Sequence, residues 1–154
     1  MRKIAFLTAT LTLLAAPVVA QSELDRLETA TVAAGGNLEA FLTSRAPELA
    51  SAMPDWSWDA ELRAAATCTL DAMRSEGGDA AVTEYLDAME EFATTPITSM
   101  EQMATATPVP ISTDFAARTG QDCGSAEIAM RRMQESGLMQ AMMDPAIMGR
   151  LMGQ

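Results

Sequence analysis

Apolar residues recur every three or four positions along most of this chain, and nowhere do they alternate with polar ones over a useful length. That period predicts helices and no sheet. From Ser22, a candidate cap, Leu24, Leu27, Ala30 and Ala34 keep one face until Gly35-Gly36 interrupts it. A second segment through Asn37, Leu38, Phe41 and Leu42 stops near Pro47, and the two pieces are read as one arm with a break. After Pro54, Asp55 or Ser57 is expected to cap a helix with Asp59 and Glu61 in its first turn, where the helix dipole favours acids. Its stripe is Trp58, Leu62, Ala65, Ala66, Thr69, Leu70 and Met73, and Gly77-Gly78 ends it. Asp79 caps another, with Val82, Tyr85, Leu86, Met89, Phe92 and Ala93 at helical spacing and Glu84, Asp87, Glu90 and Glu91 mainly elsewhere. Two antiparallel helices joined by a glycine turn follow.

Thr95-Pro96 reads as cap and first residue of a shorter helix carrying Ile97, Met100, Met103 and Ala104. Pro108-Val109-Pro110 favours an extended connection. After a turn of helix around Phe115, a loop over residues 120–124 bears Cys123. Ser125 is expected to cap a last long helix running to about Met143, and Asp144-Pro145 to start a final turn with Ile147, Met148 and Leu151. The fold class expected is all-α, a small irregular helical bundle of about four to six helices.

The first twenty residues follow the plan of a secretory signal peptide: a basic Met1-Arg2-Lys3, an apolar stretch from Ile4 to Ala16, and small residues at Val18-Val19-Ala20 for cleavage after Ala20. The apolar stretch is shorter than the roughly 20 residues that span a bilayer. No Cys follows Ala20 for lipid attachment and no twin Arg precedes the stretch, so export to the periplasm by the general route, with no stable membrane anchor after cleavage, is expected. Residues 21–154 then form a single α-helical domain with a Met-rich C-terminal segment at 125–152.

Cleavage takes Arg2 and Lys3 and no acid, leaving eight Arg against 21 Asp and Glu and no lysine. Nothing there neutralises a run of phosphates, which excludes a basic nucleic-acid binder, and the charge favours cationic partners or cations. Export places Cys68 and Cys123, 55 residues apart, in an oxidising compartment, where an even pair reads as one structural disulfide stapling the bundle.

Between Tyr85 and Pro108, the order aromatic, Glu-Phe, Ala-Thr-Thr-Pro, then a short polar helix ending at Pro resembles a family of small exported proteobacterial helical proteins of unknown function. In that family an aromatic precedes a Ser/Thr-Pro turn between two helices. The resemblance rests on Phe92, Thr95 and Pro96 and departs at Ala93 and Ile97-Thr98, where that family commonly has a second aromatic and a Gly. It implies export and helices, and no activity.

Histidine is absent, so histidine catalysis and histidine metal sites are excluded. No GxSxG, HExxH or phosphate-cradling glycine loop occurs, so a binding role without cofactor is expected in place of an enzyme. The compositional anomaly is methionine, seven of them between Met130 and Met152: Met130, Met133, Met139, Met142, Met143, Met148 and Met152. Flexible thioethers suit an adaptable contact with a protein partner, the function expected first. The alternative is a Cu(I) site, because soft sulfur ligands at one-turn spacing, Met130 with Met133 and Met139 with Met142, select that ion. Arg131 and Arg132 break the stripe, as on a surface helix. Trp56 and Trp58 either anchor the start of a helix or stack a sugar or other flat ligand. The acids Glu84, Asp87, Glu90 and Glu91 lack the turn of a Ca²⁺ loop and read as a solvated face.

Overall fold

The computed structural model describes the backbone of residues 16–105 and 113–153. These residues form helices joined by short loops, with no strand among them. The expected extended connection Pro108-Val109-Pro110 and the basic and apolar parts of the export segment, residues 1–15, lie outside them.

Helix α1 (Ala16–Arg45) is one continuous element that passes through Gly35-Gly36, which corrects the expected break there. The cause lies 21 residues away. A Cβ on Gly35 would come within 2.5–2.9 Å of three indole carbons of Trp56, so the glycine is the seat on which that ring rests. Gly36 meets nothing within 4 Å. The two glycines therefore answer the same substitution with opposite signs. Gly36→Ala is expected to stabilise the fold by up to about 1 kcal/mol through helix propensity. Gly35→Ala is expected to destabilise it by about 1–2 kcal/mol, because overpacking outweighs the same gain. Urea unfolding of the two variants measures both, and a stabilised Gly35→Ala contradicts the seat.

Ala46 turns extended ahead of Pro47, which opens a 3-10 helix (Pro47–Ala52) with Leu49 fully buried. Helix α2 (Ala60–Thr94) carries Gly78 at φ 72°, ψ −172°, a conformation open to glycine, and this divides it into two arms. Ion pairs give their directions. Arg63 on the first arm meets Asp25 and Glu28 while Arg74 meets Glu23, so this arm runs antiparallel to α1. On the second arm Asp87 and Glu90 take Arg26, and Asn37 Nδ2 donates to the Ala93 carbonyl at 2.6 Å, so it runs parallel to α1. The glycine-joined hairpin forms as expected. Its acidic face differs from the expectation in that Asp87 and Glu90 are engaged by Arg26, which holds the Glu90 carboxyl below its usual range.

Three expected caps are displaced. Asp59, not Asp55 or Ser57, caps α2 by accepting from the Leu62 amide at 2.8 Å. Thr95 is extended ahead of Pro96 and closes α2, while α3 (Met100–Thr105) starts after Ser99, whose Oγ accepts from the Gln102 amide at 3.0 Å. Following α4 (Thr113–Asp122), helix α5 (Ser125–Glu135) is preceded by Gly124 at φ 76°, and Ser125 Oγ turns back to donate to the Gly120 carbonyl. The long final helix is also broken: Gly137 at φ 84° separates α5 from α6 (Leu138–Met142), because a left-handed residue ends the helical ladder. Asp144 and Pro145 open α7 (Pro145–Leu151) as expected, the Asp144 carboxylate accepting from the Ala146 amide at 2.8 Å.

Two apolar clusters share α1. Leu24 and Leu27 of its first half pack with Ala66, Leu70, Met73, Val82, Leu86 and Phe115. Phe41 and Leu42 of its second half pack with Ala46, Leu49, Leu138, Ile147 and Leu151. The C-terminal segment is thus folded onto its own chain through its inner face. No helix among the described residues is long and apolar enough to cross a membrane.

Candidate functional site

The C-terminal segment is held by one covalent bond and three cations. Cys68, on the first arm of α2, and Cys123, just ahead of α5, form a disulfide with Cα atoms 5.6 Å apart. Arg131 pairs with Glu61, and Arg150 with Glu48. Arg132 reaches into the loop before α2: its Nη1 donates to the carbonyls of Ser57 (2.7 Å) and Asp55 (3.2 Å), and its Nη2 to Asp59 at 2.8 Å. The Leu62 amide, aided by Arg132, holds the Asp59 carboxyl below its usual range, so the clamp stays charged. Arg131 and Arg132 are therefore latch residues as well as interruptions of a stripe. Their partners lie 70 or more residues away in sequence, where no periodicity reaches.

The seven methionines divide by face. Leu138 and Met142, four residues apart, turn to the second cluster, and Met148 packs there beside Ile147 and Leu151. Met133 is half-buried. The rest face outward: Met130 is 46% exposed, Met139 38%, Met143 75% and Met152 58%. Met139 and Met143 are also four apart, so α6 carries one sulfur pair toward solvent while its other face is docked. Of the four residues of the Cu(I) alternative, Met130 and Met133 stand on α5, Met139 and Met142 on α6 beyond the Gly137 turn, and Met142 packs against the second cluster. Among the described residues no three His, Cys, Asp or Glu side chains are gathered as metal ligands.

A second feature lies on the other side of the Arg132 clamp. The loop 53–59 crosses α1 and leaves a shallow cleft, open to solvent, lined by Glu28, Val32, Glu39, Asp55, Trp56 and Trp58 among others. On α1, Glu28, Val32, Gly35 and Glu39 are spaced four, three and four apart, one helix face. Trp56 rests on Gly35 and Trp58 packs against the first cluster, so both indoles anchor the approach to α2. Both are half-buried, yet each Nε1 is enclosed and has no acceptor among the described residues. Stacking a sugar uses exposed indole N–H donors as well as ring faces, and those edges are turned inward here. Asp55 accepts from the Ser57 amide at 2.8 Å, which holds its carboxyl below the usual range.

Compared with models of protein families, with curated proteins and with solved structures, this chain matches none.

Proposed function

We propose that this protein is an exported helical interaction module that docks a protein partner on the outward methionine face of its C-terminal segment. The observation that carries the reading is the identity of the exposed apolar side chains. Of the five large hydrophobic residues that are exposed among the described residues, four are Met130, Met139, Met143 and Met152. Four exposed thioethers within one short segment offer apolar contacts to a partner, and methionine adapts to irregular partners at little strain.

The anchoring supports the same reading. Leu138, Ile147 and Leu151 fix the inner face, the disulfide fixes the start of α5 and the Arg131 and Arg132 pairs its second half, so the outer sulfurs are presented on an ordered support. A preorganised surface loses less entropy on binding. The acidic surround selects a partner with a basic rim, since potentials across an interface are complementary. Export through residues 1–20 to the periplasm accords with the Cys68–Cys123 bond, which persists in oxidising compartments. Cu(I) carriage has less support, because Met142 of its ligand set packs on the second cluster.

The test is a comparison of the mature, disulfide-bonded protein with a variant carrying Met130→Gln, Met139→Gln, Met143→Gln and Met152→Gln. Circular dichroism and Tm are expected to change little, because Met143 and Met152 are mostly exposed and glutamine is close in length and shape to the half-exposed Met130 and Met139. Recovery of a partner from periplasmic extract is expected to fall at least about tenfold, the equivalent of about 1.4 kcal/mol of lost contact. Equal recovery by both proteins, or none by either, defeats the reading.

A further inference from the structure

The cleft under loop 53–59 is independent of the methionine face, and we propose that it binds an organic ammonium ion whose charge is shielded by methyl groups. Two half-buried indoles line it; their N–H edges are enclosed, and with Trp56 resting on Gly35 and Trp58 packed on the first cluster, what they offer a ligand is their remaining ring surface. The face of an indole attracts a cation through the negative lobe of its quadrupole, most strongly among the aromatic side chains. Both rings are left without an internal cation: among the described residues the one guanidinium over a ring is Arg45, 5.9 Å from the Phe41 centroid.

The carboxylates around the rings point the same way. Glu28 is already engaged by Arg63. Glu39 is half-buried and makes no ion pair among the described residues, and Asp55 is kept ionised by the Ser57 amide while Arg132 spends its donors on loop carbonyls and Asp59. Glu39 without an ion pair, and Asp55 offset only in part by Arg132, thus flank the two indoles. A primary ammonium ion needs several hydrogen-bond acceptors to replace its water. A quaternary or methylated ammonium does not, and its apolar shell suits indole carbons and Val32. An anion or a neutral ligand would gain nothing from Glu39 and Asp55.

The chain's two tryptophans both stand in the cleft, so intrinsic fluorescence reports on it directly. Mature protein is titrated with choline and, separately, with dimethylbutanol, the neutral isostere in which carbon replaces the charged nitrogen. Choline is expected to give a saturable emission change that weakens with added salt, and the isostere a response at least about tenfold weaker. Glu39→Gln is expected to raise the choline half-saturation about fivefold or more, while Glu84→Gln, on the second arm of α2 outside the cleft, leaves it unchanged. Equal responses to choline and its isostere, no saturable response, or equal effects of the two Gln variants would overturn the proposal. The quadruple methionine variant is expected to bind choline as the parent does, which separates this site from the docking face.

Discussion

Replacing Cys68 and Cys123 together by alanine is expected to lower the free energy of unfolding by about 4 kcal/mol, the chain entropy that a loop of this length restores to the unfolded ensemble. The sequence separation of 55 residues sets that figure, and the site of the bond sets its consequence. Cys68 lies on the hairpin arm that packs against the first half of α1, and Cys123 lies one residue before the turn into α5. Without the bond, α5 is tied to the chain ahead of α2 and to the first arm only through its later residues, by Arg131 to Glu61 and by the Arg132 clamp. Exposed ion pairs contribute on the order of 0–1 kcal/mol each, too little to replace the covalent tie. Urea denaturation of the double variant should show a lower midpoint. A loss below about 1 kcal/mol contradicts the assignment of the staple as a main source of stability.

The second large effect belongs to Leu42. It is 1% exposed at the centre of the cluster where the second half of α1, the 3-10 helix, α6 and α7 meet. Leu42→Ala is expected to cost about 3 kcal/mol, the usual sum of lost transfer free energy and residual cavity. The same cavity undercuts the inner face of the C-terminal segment, so Met142 and Met148 should oxidise faster in dilute peroxide than in the parent. A parent-like rate at both residues, with stability lost, would mean that Leu42 supports α1 alone and that the segment docks by other contacts.

What the chain revealed before its structure was the part written locally. Helical periodicity gave the all-α class, and Gly77-Gly78 marked the hairpin because a positive φ at Gly78 is a local demand. Asp144-Pro145 marked the last helix by its own cap. The even cysteine pair implied the disulfide. What stayed hidden depends on residues far apart. Gly35 looks like a helix break until Trp56 is laid on it, and Arg132 looks like a solvent-facing cation until loop 53–59 is beneath it. Gly137 reads from its neighbours as a glycine tolerated within the last helix, whereas it is a left-handed stop. The division of the methionines follows from that stop, since it resets the helical phase and decides which sulfurs face Leu42 and Leu49. The cleft left no local signal beyond two tryptophans, because its carboxylates come from different elements.

Whether the C-terminal segment presents one sulfur face outward and docks the other is read most directly by graded peroxide oxidation of the disulfide-bonded protein, with each methionine followed by peptide mass spectrometry. Met130, Met139, Met143 and Met152 are expected to convert to sulfoxide at least about ten times faster than Met73 and well ahead of Met142 and Met148. Uniform rates along residues 130–152, or Met142 and Met148 reacting first, would contradict the account.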